Sequence, residues 1–69
     1  MSERCAAMID RLIERRHNKG MTQKDLADAS GLTQSVIARL ESKNAVPQLD
    51  TLCRIAAALD CEVELVPRG

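Results

Sequence analysis

The chain has 69 residues, no net charge and no aromatic residue. A domain of this size has a small core, and the missing aromatic rings remove the base-stacking groups that single-strand and RNA binders use. No apolar run approaches the ~20 residues of a membrane span, and no signal peptide is present. We therefore expect a cytoplasmic protein of one domain, residues 1–69, that does not enter a membrane.

Charge is unevenly distributed along the chain. Residues 11–43 carry seven basic and four acidic side chains, a net +3, whereas residues 44–69 carry two basic and four acidic ones, a net −2. The counts fit a modest basic face, and they also fit an ordinary solvated surface. A modest basic face predicts modest affinity for nucleic acid, so tight binding would need two copies of the chain.

Two helices are predicted in the first thirty residues. Ser2 is a plausible N-cap for the first helix, and Gly20 ends it. Thr22 followed three residues later by Asp25 resembles a capping box at the start of the second. The apolar stripe of the first helix consists of Cys5, Met8, Ile9, Leu12 and Ile13.

A tight turn and a third helix follow directly. Gly31 occupies the turn, where a backbone with positive φ is needed. Thr33 caps the third helix, which runs to about Ser42, and the small Ala27 lets this helix approach the second closely. Ile37 and Leu40 face the core. A fourth helix is marked by Leu49, Leu52, Cys53, Ala56 and Leu59.

After Asp60 the hydrophobic period changes from helical to alternating. Residues 61–66 alternate apolar and acidic side chains, which predicts a β-strand with Cys61, Val63 and Leu65 on its apolar face. A lone strand in a helical chain needs a partner, and pairing with a second copy across a two-fold axis is the simplest solution. The ribbon would pack on the fourth helix.

Two features of the ends and the thiols leave alternatives open. The final LVPRG resembles a protease-site scar, although Leu65 and Val66 continue the alternation and favour native sequence. Cys5, Cys53 and Cys61 show no metal spacing, so we expect buried or half-buried reduced thiols; the alternative is a redox switch at Cys61. No nucleophile–base pair or metal site is present, so we expect no enzyme activity, metal or cofactor.

The spaced motifs together resemble the phage-repressor/Cro-like helix-turn-helix domains, also called the xenobiotic-response-element family. The resemblance covers roughly residues 8–59 and implies an all-α bundle of four or five helices that binds double-stranded DNA. Its motifs are Arg16, MTQKDLA (21–27), Gly31 to Gln34, Ile37, Leu40-Glu41, Pro47 to Leu52 and the following IAAAL.

Three positions depart from that family's pattern. Ser30 stands where the family prefers an apolar residue, so the turn is expected to pack less well. Lys43 stands where many members carry glycine, so the helix end is expected to be strained or longer. The strand at residues 61–66 replaces a fifth helix and resembles members that are antitoxins.

The third helix carries the expected base contacts, Gln34, Ser35, Ala38 and Arg39. Gln34 can donate and accept at adenine N6 and N7, and the fork of Arg39 matches guanine O6 and N7. The alternative is that these side chains are merely solvated. Phosphate contacts are expected from Thr22, Gln23, Thr33, Ser42, Lys43 and Asn44, and for Lys19 and Lys24 a solvated surface is an equal alternative.

The resemblance also implies that Arg16 and Glu41 form a partly buried ion pair with a structural role. Taken together, these features predict a transcriptional regulator, specifically a repressor that binds a palindromic operator as a homodimer. Residues 1–60 would form the helical bundle, and residues 61–66 would form the strand that joins the two copies. The alternative is an antitoxin that binds a partner toxin and regulates its own operon.

Overall fold

A computed structural model describes residues 1–68 of the chain. They form four α-helices and no strand: α1 (Glu3–Asn18), α2 (Gln23–Ser30), α3 (Gln34–Glu41) and α4 (Leu49–Ala58). The all-helical bundle predicted from the sequence is confirmed, with four helices rather than five.

Short side chains begin the first three helices. The Ser2 hydroxyl accepts the Cys5 amide hydrogen, and the Thr33 hydroxyl accepts that of Val36. Thr22 and Asp25 form a complete capping box at α2. Each cap satisfies a backbone donor that the first helical turn leaves unpaired, so these helices start where the sequence predicts.

All four helices contribute to one small core, in which several side chains are fully enclosed. Ala27 on α2 is 3% exposed, so its methyl group leaves room for α3 against α2. The core is formed by Ile9, Leu26, Ala27, Ile37, Leu40, Ile55 and Leu59. Ser30, expected to weaken the turn, is buried with its hydroxyl donating to the Leu26 carbonyl at 2.7 Å. A satisfied hydroxyl therefore replaces the apolar side chain.

The predicted C-terminal strand is wrong for the single chain. Residues 61–68 form neither helix nor strand. A lone segment finds no ladder partner among helices, which already satisfy their own backbone groups. The predicted ribbon surface is also unavailable, because Ala56 and Leu59 are buried in the core. Cys61 packs on that core, whereas Val63 is 39% and Leu65 99% exposed.

The thiols also differ from expectation. Cys61 is half-buried, but Cys5 and Cys53 are exposed. Met8, expected in the apolar stripe of α1, is 41% exposed as well. The stripe is narrower than the sequence pattern indicates, because only Ile9, Leu12 and Ile13 of its five residues pack in or against the core.

Two polar contacts join the C-terminal ends of α1 and α4. Arg15 Nε donates to the Leu59 carbonyl at 3.0 Å, and Lys19 Nζ lies 2.5 Å from the Asp60 carboxylate. Asp60 has a φ of 58°, in the left-handed region. These contacts fix the point at which residues 61–67, the C-terminal tail, leave the bundle.

Acid should destabilise the fold through two exposed carboxylates. The Thr22 backbone N–H that donates to Asp25, and the Lys19 ammonium that donates to Asp60, hold the pKa of each carboxyl below its ordinary value of 3.8. A lowered folded pKa gives stability that is complete above the ordinary value and is lost as pH falls through the lowered one.

We therefore expect the free energy of unfolding from these groups to fall below about pH 4. Asp60→Asn should lower stability at pH 6 and flatten the acid loss, since asparagine tolerates positive φ but has no charge. Urea unfolding at pH 6 and pH 3 measures both effects. Glu14→Gln, at an exposed side chain with no ion pair among residues 1–68, is the control. An unchanged acid slope in Asp60→Asn would contradict the assignment.

Candidate nucleic-acid interface

The outer face of α3 is mostly polar. Gln34, Ser35 and Arg39 are exposed, and Ala38 is half-buried. Within residues 1–68 no hydrogen bond or ion pair engages the side chains of Gln34, Ser35 or Arg39. The inner face is anchored by Ile37, which is 0% exposed, and Leu40, which is 4% exposed. The candidate base contacts therefore lie together on one rigid helix with their donors and acceptors free.

The turn before α3 holds that helix against α2. Gly31 has a φ of 71° in the left-handed region, and the Leu32 amide donates to the Ala27 carbonyl at 3.0 Å. A side chain at position 31 would be strained by this backbone even though open space surrounds it. The glycine thus lets the chain reverse within three residues and present the start of α3.

Behind this face lies a nearly buried ion pair. Arg16 Nε and Nη2 contact the two Glu41 carboxylate oxygens at 2.7 and 2.8 Å. Both side chains are 9% exposed. Arg16 Nη1 also donates to the Met21 carbonyl at 2.8 Å. Arg16 therefore links Glu41, the last residue of α3, to α1 and to the loop before α2, an arrangement that suits a structural role for the pair.

The Gln23 side chain is also part of this network. Its Nε2 donates to Glu41 Oε1 at 3.1 Å, and the side chain is half-buried. The resemblance implied a phosphate contact for Gln23 but no bond to Glu41. The sequence gives no signal for this bond, because positions 23 and 41 lie on different helices without a shared period. One amide hydrogen of Gln23 remains for a phosphate.

The other candidate phosphate contacts differ in how free they are. Thr22 and Thr33 are exposed, and their hydroxyls only accept hydrogen bonds, so each keeps a proton to donate. The Ser42 hydroxyl instead donates to the Arg39 carbonyl at 2.9 Å. Asn44 is exposed. The amides at the starts of α2 and α3 face the same solvent as these side chains.

Lys43 carries two constraints. Its φ is 62°, which is strained for a residue with a side chain, and α3 ends at Glu41 rather than extending. Of the two expectations for this position, strain is the one observed. Its ammonium lies 2.5 Å from Asp10 on α1, so a phosphate contact would compete with an existing ion pair.

A cavity that the sequence does not predict lies beside the outer face of α3. It has a volume of about 360 Å³ and lies where α3 ends and α4 begins. Its lining comprises Val36, Arg39, Leu40, Ala45, Val46, Pro47, Gln48 and Thr51. The connecting loop forms one wall, and loop conformation has no periodic signal in sequence. Val46, on this loop, is 72% exposed.

The described residues form neither a metal site nor a membrane span. Within residues 1–68, no group of three or more His, Cys, Asp or Glu is placed to hold a metal ion. None of the helices in this part of the chain is long and apolar enough to cross a membrane.

Comparisons with known proteins place this geometry in a family. A family model described as helix-turn-helix matches residues 12–66. A protein of Haemophilus influenzae described as an uncharacterized HTH-type transcriptional regulator is 41% identical over 61 residues, 88% of this chain and 62% of its own. Antitoxin HigA1 of Mycobacterium tuberculosis is 32% identical over 65 residues, 94% of this chain and 44% of its own.

A solved structure gives the same result in three dimensions. A chain of a toxin-antitoxin module from Streptococcus pneumoniae superposes with a TM-score of 0.79 at 40% identity, over 97% of this chain and 74% of that one. The chain spans less than two thirds of the length of the curated relatives described above. Because the family model and this solved relative cover most of the fold, the chain belongs to the helix-turn-helix family of phage-repressor/Cro-like domains.

Proposed function

We propose that this protein is a sequence-specific regulator of transcription that inserts α3 into the major groove of double-stranded DNA. The observation that carries the proposal is the pairing of a free polar face with a buried apolar one on the same helix. Ile37 and Leu40 fix α3 to the bundle, which leaves the donors of Gln34 and Arg39 with no competing partner among the described residues. As a DNA-bound protein it would act in the cytoplasm.

Each side chain has a distinct role in this proposal. Gln34, at the first turn of α3, makes a bidentate contact with adenine, and Arg39 contacts guanine. Ser35 bonds a base or a phosphate, and Ala38 contacts a thymine methyl group. The threonine hydroxyls and helix amides at α2 and α3, with Gln23, Ser42, Lys43 and Asn44, fix the register on the phosphates. Such contacts discriminate between bases at the positions that α3 reaches.

The operator is proposed to be palindromic and the protein to bind it as a dimer that represses transcription. Net charge is zero, so a single copy gains little from phosphate attraction. Two copies place two α3 helices about 34 Å apart, on successive turns of the major groove. The dimer therefore supplies affinity that one basic face lacks.

Gln34→Ala tests the proposal directly. We expect it to lose about 1–3 kcal/mol of discrimination at one base pair of each half-site, because one bidentate contact disappears. Non-specific binding should persist through the phosphate contacts. Operators selected from a random library, followed by titrations at fixed salt, measure both quantities.

Lys24→Ala is the matched control for this experiment. Lys24 is exposed and paired with Asp28 on α2, so its loss should leave base preference unchanged. If wild-type protein selected no sequence, the proposed function would be wrong. If Gln34→Ala kept the wild-type preference at every base pair, α3 would not be the reading helix.

A second candidate function is that of an antitoxin. It is supported by the printed descriptions of two relatives, an antitoxin and a toxin-antitoxin module. Exposed apolar side chains, such as Leu49 at 70% and Leu65 at 99%, would suit a protein partner. The test is whether a short reading frame adjoins its gene: toxicity of that frame expressed alone, and rescue by co-expression of this chain, would establish the candidate.

A further inference from the structure

One face of α1 is basic, and its arginines form no ion pair among residues 1–68. Arg4, Met8, Arg11 and Arg15 follow each other at helical spacing, all exposed; we refer to these four residues as the α1 stripe. Among residues 1–68, no carboxylate pairs with its three arginines. Elsewhere a carboxylate pairs with each of five basic residues, namely Arg16, Lys19, Lys24, Lys43 and Arg54. Arg15 is engaged by the Leu59 carbonyl and lies within the field of Asp60, so the uncompensated charge of the α1 stripe is mainly that of Arg4 and Arg11.

The centre of the α1 stripe is arranged to receive an anion. Arg11 and Arg15 are four residues apart, where like charges on a helix repel each other. A hollow of about 150 Å³ lies there, lined by Arg11, Glu14, Arg15 and Asn18. Glu14 borders the hollow without pairing with either guanidinium. A second carboxylate entering from outside would relieve the repulsion.

The C-terminal tail carries the complementary pattern. Glu62 and Glu64 are exposed and have no ion pair among residues 1–68. In an extended chain, Glu62, Glu64 and Val66 share one face and Cys61 lies on the other. Cys61 packs on its own core, and Val66 is 76% exposed. Beyond Cys61 both faces of the tail are exposed, with Leu65 at 99%, so its two glutamates are open to solvent rather than held on their own domain.

We propose that the tail of one copy docks on the α1 stripe of a second copy, with Glu62 opposite Arg15, Glu64 opposite Arg11, and Val66 against Met8. Alternate residues of an extended tail are about 6.6 Å apart, close to the axial rise of about 6 Å between Arg15 and Arg11. The inference rests on the dimer of the proposed function and specifies its contact surface.

The exchange is reciprocal. Arg15 and Lys19 hold the root of the tail at the C-terminal end of α1, so each copy presents its tail and its stripe along one edge. A two-fold axis beside α1 then lets each tail reach the other copy's stripe, which makes the interface self-complementary. Exposed ion pairs form much of this contact, so dimerisation should weaken as salt is raised.

A charge-reversal exchange on the full chain tests the docking. Arg11→Glu and Glu64→Arg each place like charges in contact, and each is expected to raise the dimer dissociation constant at least about tenfold. In an equimolar mixture, each tail meets an opposite charge on the other copy, so heterodimers should form with near wild-type affinity. Sedimentation at low salt measures the dimers, and circular dichroism checks that each variant is folded. Arg54→Glu, on α4, is the control and should dimerise like wild type.

Several outcomes would overturn the docking. The wild-type protein could remain monomeric at 100-fold the concentration needed for operator binding. The single variants could dimerise like wild type, or the equimolar mixture of the two variants could stay monomeric. The last would mean that the tail contacts its own α1. Binding to a single half-site is measured on the same variants and should be unchanged. If wild-type protein dimerises as expected but binds no DNA, the proposed function fails while the docking stands.

Discussion

Replacing Glu41 by alanine is expected to destabilise the fold by about 3–5 kcal/mol, the range for breaking a buried ion pair by removing one partner. The substitution leaves Arg16, whose side chain is 9% exposed, with no anion beside it. Among residues 1–68, only the Met21 carbonyl and His17 remain within hydrogen-bond distance of its guanidinium. Since a domain of this size is stable by only roughly 3–10 kcal/mol, the variant should be largely unfolded at 37 °C.

A double-mutant cycle separates the pair from its surroundings. Arg16→Met with Glu41→Leu removes both charges and fills the site, so it should cost less than the sum of the two single substitutions. Asp28→Ala, which breaks an exposed ion pair on α2, is the control and should cost less than about 1 kcal/mol. Strict additivity in urea unfolding would show that Arg16 and Glu41 do not interact energetically.

Features that depend on neighbouring residues were predictable from the sequence. The caps at Ser2, Thr22 and Thr33 follow from side chains that accept a backbone hydrogen bond three residues on, and the left-handed Gly31 follows from its lack of a Cβ atom. At Lys43 the resemblance left two expectations, a strained helix end or a longer helix, and the observed φ of 62° corresponds to the first.

Features that depend on which surfaces meet were not predictable in the same way. The hydrophobic period predicts that Cys5 and Met8 lie on the apolar side of α1. It does not predict how much of the length of α1 the other helices contact. Both side chains extend beyond the bundle and are exposed. The bond from Gln23 to Glu41 has no local signature either, since it joins side chains on two different helices, α2 and α3.

The alternating pattern at residues 61–66 shows a third limit. Alternation of apolar and acidic residues indicates that a segment suits an extended conformation with two different faces. A strand also needs a neighbouring strand for the hydrogen bonds of its backbone. Within one chain that partner is missing, and no strand forms among the described residues. Leu65, on the predicted apolar face, is 99% exposed, so the alternation did not predict which side of the tail packs on the bundle.

Replacing Ile37 by alanine is expected to cost about 2–5 kcal/mol, the range for emptying a fully buried aliphatic site. Ile37 is 0% exposed on α3 and belongs to the single core cluster. The bundle has few side chains with which to refill the cavity, so the loss should lie toward the upper end. Ile37→Val, which removes one methylene group, should cost about 0.5–1.5 kcal/mol and serves as the graded control.

The same substitution distinguishes stability from DNA reading, because Ile37 faces away from the groove that α3 is proposed to enter. At 10 °C, operator affinity corrected for the folded fraction should stay close to wild type for Ile37→Val and fall for Ile37→Ala, whose cavity lets α3 shift against α2. Base preference should be retained in both, since Gln34 and Arg39 are intact. A loss below about 1 kcal/mol for Ile37→Ala in urea unfolding would contradict its place in the core and, with it, the orientation of α3.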